Sequence, residues 1–191
     1  LDNARLVLHS GDETQAKPVS FDFSADLHRV GVSPWHGAPG IEGVSGLLQL
    51  NAEGGRVDFT SERFSLNFPK LYSQGWQFDR ARGVVRWEMG AQGVRVISQH
   101  LQIEDAKLRA DGRFSLDLPV VSAPGSLEQE PLHKQQGRLV LMIGMERADA
   151  SLAPLFVPDK IVSQPLHHWL QTSVISGQIA RGGVLVDTPL R

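Results

Sequence analysis

Few side chains in this sequence could do chemistry, and they are scattered. His167-His168 is the most ligand-like pair. Neighbouring positions on a helix point about 100° apart, so two adjacent imidazoles do not readily chelate one metal. Beside Trp169 they read as the solvated flank of an amphipathic helix. The remaining histidines, His9, His28, His36, His100 and His133, lie far apart, and no Asp or Glu spacing ties them to a site. Gly43-Val44-Ser45-Gly46-Leu47 begins like the turn that presents a serine nucleophile, but Leu47 stands where the closing glycine belongs. Asp22, Asp26, Asp58, Asp79, Glu88 and Asp111 mostly fall on polar strand faces or in turns. A glycosidase pair needs proximity in space, which separation in sequence does not report. No phosphate-binding loop, dinucleotide fingerprint or zinc-protease helix occurs. There is no cysteine, which excludes thiolate metal sites, disulfides and cysteine nucleophiles. The sequence therefore predicts a non-enzymatic chain with no cofactor and no metal.

Charge narrows the partners. With 21 acidic and 19 basic side chains the net charge is -2, and no basic stripe runs along the chain. Nucleic-acid binding needs clustered Lys and Arg to neutralise phosphates, so it is not expected. The 191 residues suit one sizeable core, and are read as a single segment. No apolar run approaches the ~20 residues of a membrane-spanning helix, and no signal peptide is present. The chain starts at Leu1 and ends on a strand-like run, so it reads as an internal piece whose address or anchor lies elsewhere.

The elements that position these side chains are strands. Over residues 1–119 a period-2 alternation predicts a β-meander of eight to ten strands. Leu6 and Leu8 share a face; Phe21, Phe23, Ala25 and Leu27 follow, alternating with Asp22, Ser24 and Asp26. Leu48 and Leu50 come next, and a turn at Glu53-Gly54-Gly55 leads to Val57 and Phe59. Phe64, Leu66 and Phe68 alternate with Ser65 and Asn67 up to Pro69, which cannot donate to a ladder. A long strand from Gln77 to Met89 carries Val85, Trp87 and Met89 as its apolar row, with Gly83 as a candidate bulge. Short strands then bear Val94 and Val96, Leu101 and Ile103, and Leu108, before an Asp111-Gly112 turn signal and Phe114, Leu116 and Leu118.

Residues 120–136 lack periodicity and read as a mobile loop. The strand over 137–149 is more continuously apolar (Leu139 to Ile143), as expected when both faces are covered. Residues 150–175 form a short helical element: one or two turns ended by Pro158, then a helix opened by Pro165. Leu166, Trp169, Leu170 and Val174 fall on one face of that helix, and Gly177 lies just past its end. A final strand occupies 177–191. Trp35, Trp76, Trp87 and Trp169 all suit a boundary between greasy and wet surface, although core packing is the ordinary role for Trp87 and Trp169.

Alternation alone allows two architectures. A closed β-sandwich, as a binding or spacer module, would bury the apolar rows against one another. An open trough would leave them for a ligand. A lipid-spanning barrel fits less well, because aromatics are 7% of the chain and sit in mid-row as often as at row ends.

Certain segments together resemble one family. They are Gly43-Val44-Ser45-Gly46-Leu47-Leu48-Gln49-Leu50, Gly54-Gly55-Arg56-Val57-Asp58-Phe59, and Phe78-Asp79 through Gly83-Val84-Val85-Arg86-Trp87. The likeness sharpens at Phe156-Val157-Pro158, at Pro165-Leu166-His167-His168-Trp169-Leu170, and at Ser176-Gly177-Gln178-Ile179-Ala180-Arg181-Gly182-Gly183-Val184-Leu185. From about residue 40 to 191 the chain is similar to the YhdP-type members of the AsmA-like family.

That resemblance implies a mainly β fold: a long curved antiparallel sheet forming a taco-like β-groove, with a short helical element near the C-terminus. It implies a bridge-like carrier of Gram-negative bacteria, anchored in the inner membrane through a segment outside this one and extending through the periplasm. The groove would shield phospholipid acyl chains between the inner and outer membranes, continuing into the rest of the same long chain. The expected groove-lining residues are Phe21, Phe23, Leu48, Leu50, Val57, Phe59, Phe64, Leu66, Phe68, Val85, Trp87, Met89, Leu101, Ile103, Leu108, Phe114, Leu116 and Leu118. Ten strands ~4.8 Å apart would make a trough of roughly 45–50 Å. Each buried CH₂ contributes about 0.8 kcal/mol, so a stretch of ~14 carbons gains on the order of 10 kcal/mol.

Overall fold

The computed structural model describes residues 2–9, 20–34, 39–91, 93–119 and 137–190. The loop expected at 120–136, with His133, and the pair Trp35-His36 lie outside the described residues.

Seven strands fill the first part of the chain: β1 (Asp2–His9), β2 (Ser20–Val32), β3 (Gly40–Asn51), β4 (Gly54–Asn67), β5 (Trp76–Gly90), β6 (Gly93–Glu104) and β7 (Leu108–Pro119). After β8 (Gly137–Asp149) come a 3-10 turn (Ala150–Leu152), α1 (Ala153–Phe156), α2 (Gln164–Ser173), β9 (Gln178–Ile179) and β10 (Gly182–Leu190). All ten strands form one antiparallel sheet in the order β1-β2-β3-β4-β5-β6-β7-β8-β10, with β9 paired to the end of β8. Among the described residues the sheet is open, with β1 and β10 at its edges and no second sheet facing it. The closed sandwich is therefore not the architecture. Nine strands side by side span about 38 Å, less than the trough expected from ten. No described helix is long and apolar enough to cross a membrane.

The eight to ten strands expected in the first 119 residues are seven, because breaks of period inside a strand look like strand ends. In β4, buried Ser61 and Phe64 flank two consecutive exposed residues, Glu62 and Arg63. Two exposed residues between buried or part-buried ones recur at His28-Arg29 in β2, Asp79-Arg80 in β5, Gln99-His100 in β6 and Glu146-Arg147 in β8. Each extra residue reverses the alternation, so the apolar side chains before and after it stay on one face. Register slips mark most of these places, in β2/β3, β3/β4, β5/β6, β6/β7 and β7/β8. Between β4 and β5 both strands carry the extra residue at the same height, so Glu62 still opposes Arg80 and Phe64 opposes Phe78.

Backbone geometry and serine hydroxyls sustain these breaks. Arg29 and Arg63 take φ of 49° and 55°, and Gly43 in β3 takes 83°. A Cβ on Gly43 would sit 2.5 Å from the Arg63 carbonyl oxygen, so this crossing needs glycine. Displaced backbone groups are caught locally. The Arg29 N–H donates to Ser45 Oγ and the Ser45 N–H to Ser61 Oγ, each at 3.0 Å, while Ser98 Oγ donates to the His100 carbonyl.

Three further expectations are corrected. Asp111-Gly112 is no turn: it lies mid-strand in β7, where Asp111 accepts from Gln102 Nε2 at 3.0 Å and Gly112 opposes Leu101. Gly83 is paired in register with Phe59 and Leu101, and the irregularity falls just after it, between Val84 and Arg86. β8 is apolar on both sides but covered on one, since Met142 and its partner Leu185 are exposed on the other face.

Candidate functional site

Cross-strand pairing sorts the side chains into two faces. On one face the polar residues make ladders. Arg95 pairs with Asp117, and Arg138 donates from Nε and Nη2 to the two carboxylate oxygens of Asp187. The Arg138 guanidinium holds the Asp187 carboxyl below its ordinary range, as Arg56 does for Asp58. Asp26, His28, Ser45, Asp58 and His100 border one shallow depression on this face. They do not form a nucleophile site there. Ser45 Oγ is occupied by the Arg29 N–H, and His28 Nε2 lies 3.2 Å from Asp2 rather than on the serine. Among the described residues no three His, Asp or Glu side chains gather closely enough to hold a metal.

The other face is apolar across most of its width, from β1 to β8, where Leu139 meets Thr188 of the edge strand β10. One row runs Leu6, Phe23, Leu50 and Gly55, then Trp87, Val96, Leu116 and Leu139. Trp87 lies over Gly55: a Cβ there would come within 2.4 Å of the indole and 2.6 Å of Leu50. Phe21, Phe23, Leu48, Leu50, Trp87, Phe114 and Leu118 are part-buried on this face, and Met89 is 48% exposed. Leu116 is buried between its partners Val96 and Leu139.

Toward the opposite strand ends, the same face is covered by the chain itself. Phe59, Phe64, Ile103 and Leu108 are buried in one cluster with Phe78, Ala81, Ala110 and Ala148. Val57, Leu66, Val85 and Leu101 pack against it, and so do Leu152, Phe156 and Ile179 from the C-terminal segment. Phe59 and Phe64 stack with ring centroids 5.9 Å apart. Phe68 lies just past the end of β4, in an aromatic group with Tyr72 and Trp76. The expected lining residues thus fall into two groups: those under the chain's own cover and those left open.

The expected lining left out Ile41, Val44, Trp76, Phe78, Ile143 and Met145, which also belong to or pack against the covered cluster. The paired polar residues inside apolar runs were the available signal. Core packing was the ordinary role for Trp169, yet it is 57% exposed, because α2 lies beyond the sheet and buries none of its side chains. Trp87 is part-buried, and on α2 His167 is part-buried while His168 is exposed.

A family model described as YhdP protein matches residues 1–191. The chain belongs to the YhdP family. No curated protein and no solved structure matches it. The family match extends over the first forty residues, where the resemblance in sequence rested on compatible strands alone. Membership and fold agree: a YhdP-family chain whose distinctive surface is one broad apolar sheet face rather than a cleft with reactive groups.

Proposed function

We propose that the open part of the apolar face carries phospholipid acyl chains, as one segment of a non-enzymatic, bridge-like carrier between inner and outer membranes in the periplasm. The observation that carries this reading is the uncovered apolar surface: among the described residues a row of mostly Phe, Leu, Val and Trp side chains runs from β1 to β8 without a facing sheet. Large contiguous apolar patches on a protein mark a binding surface. The polar face carries ion-paired ladders and hydrogen bonds, with Leu47 and the Met142–Leu185 pair as its exposed apolar side chains, so the broader apolar surface is the other face. Such contacts are non-directional, so a lipid slides without breaking any single strong bond. Family membership supports the same reading.

The test is photo-crosslinking in intact cells with the full-length protein. A crosslinking amino acid at Leu50 or Trp87 is expected to capture phospholipid, and one at Gln49 on the polar face is not. Equal capture at all three positions, or none at the first two, overturns the proposal.

A further inference from the structure

Carrying lipid requires a free apolar face, yet the chain itself occupies one end of it. Residues 151–176 leave the sheet and return at a single point. Ala148 pairs with Ile179, Asp149 pairs with Gln178, and the Ala150 N–H donates to the Gly177 carbonyl at 2.9 Å. Gly177, at this stem, has φ of 143°. Because the two stems are paired to each other, the excursion between them can swing without breaking the ladder.

Its hold on the sheet is confined to the cluster and the β4–β5 connection, where Phe156 meets the Trp76 ring edge-on with centroids 5.2 Å apart and the Lys160 N–H donates to the Leu71 carbonyl at 3.2 Å. Leu152 and Phe156 reach the buried cluster around Phe64, and Ile179 packs at its foot. On the far side it is pinned to the β4–β5 connection. Tyr72 Oη donates to the Phe156 carbonyl at 2.9 Å, and Trp76 Nε1 to the Leu155 carbonyl at 3.1 Å. The Ser73 N–H donates to Asp159 Oδ1 at 2.9 Å, and Lys160 Nζ to the Pro69 carbonyl at 2.7 Å. No side chain of the 3-10 turn, α1 or α2 is fully buried, and Leu155, Ile161, Leu166, Trp169 and Ile175 are exposed. Apart from Leu152 and Phe156 the segment adds little to the buried packing, and such segments open at lower cost than the sheet they rest on.

We propose that residues 151–176 are a hinged cover whose Leu152 and Phe156 compete with acyl chains for the surface around Phe64. The open half binds lipid with the cover shut; the covered end binds it only when the cover lifts. This rests on the lipid-carrying reading and adds a point of control to it.

The test uses the full-length protein in cells with radiophosphorus-labelled phospholipid and a crosslinking amino acid at Phe64 or Trp87. Ser73→Cys with Asp159→Cys locks the cover on oxidation. Locking is expected to lower phospholipid adducts at Phe64 several-fold, reversibly with reductant, and to leave those at Trp87 unchanged. Without the cysteines, Phe156→Ala is expected to raise Phe64 adducts several-fold, a gain that a misfolded chain would not give selectively. Phe64 adducts that are absent throughout, or indifferent to locking and to Phe156→Ala, overturn the hinged cover. Loss of adducts at Trp87 in the unlocked protein overturns the lipid reading itself, so the two failures are distinct.

Discussion

Tyr72 is the single tyrosine in the chain, and it sits where the cover meets the sheet. Burial, with the Asp159 carboxylate as a second cause, pushes its pKa up to about 12. A solvated tyrosine titrates near ~10. The sign follows from the order of these values. The folded-state pKa lies above the unfolded one, so the neutral phenol's contribution to the closed state is fully present below pH ~10. It is lost as the pH rises toward about 12, when the hydroxyl can no longer donate to the Phe156 carbonyl. Removing the Phe156 ring opens the seam to water, so in Phe156→Ala the Tyr72 titration is expected to fall by up to about two pH units toward its ordinary value. Tyrosinate absorbance of the 191-residue chain reads this residue alone, with circular dichroism confirming that the strands persist. A wild-type chain that titrates at the ordinary value, or a Phe156→Ala chain that titrates unchanged, would refute the packing described at this seam.

Phe64→Ala is expected to cost about 3–5 kcal/mol, because it removes a buried ring, whereas Met89→Ala at an exposed position costs under about 1 kcal/mol. Urea unfolding followed by tryptophan fluorescence separates them, and equal losses would contradict the division into covered and open groups. Gly43→Ala meets both a positive φ and the Arg63 carbonyl, so it is expected to lose at least about 1–2 kcal/mol in the same assay; no loss would remove the glycine requirement at that crossing. Asp58 and Asp187 have depressed pKa values beside their arginines. Their contribution is present above the unfolded value of ~3.9 and disappears as the pH falls through the folded one. The unfolding midpoint should hold level through neutrality and fall only in acid below that value, less steeply in Asp187→Asn; a decline beginning near neutrality would count against this.

Much of the sheet was legible because alternation is local. Any window through Phe21-Asp22-Phe23-Ser24-Ala25 shows a strand with one greasy side. Strand ends were harder, since an extra residue and a turn both interrupt the period. Ser61-Glu62 and Asp111-Gly112 look equally like breaks, yet the first precedes a reversal of phase within β4 and the second is regular β7. The discriminating feature was two adjacent polar residues between apolar ones, as at Asp79-Arg80 and Glu146-Arg147. Helix α2 was legible as an element from Pro165 and the spacing of Leu166, Trp169 and Leu170. Its position was not legible, because an apolar helical stripe does not state what it faces. Leu166 and Trp169 are in fact exposed.

The division of the apolar face has a cause that no local pattern carries. Phe21 and Phe64 are the same residue type in the same kind of alternating strand, yet one is part-exposed and the other is 2% exposed. What separates them is the cluster: Phe64 stacks on Phe59 within it, and Leu152 and Phe156 pack against it from a segment that starts beyond the end of β8. Substituting under the cover therefore tests the fold first, because a cavity there costs stability whatever the surface binds. Substituting the open rows tests binding more directly, since little stability depends on side chains that remain in contact with water. The cover itself belongs to neither class. Weakening it with Tyr72→Phe removes one hydrogen bond at the seam and leaves the sheet ladder intact, so it changes access to the face while the face stays as it is.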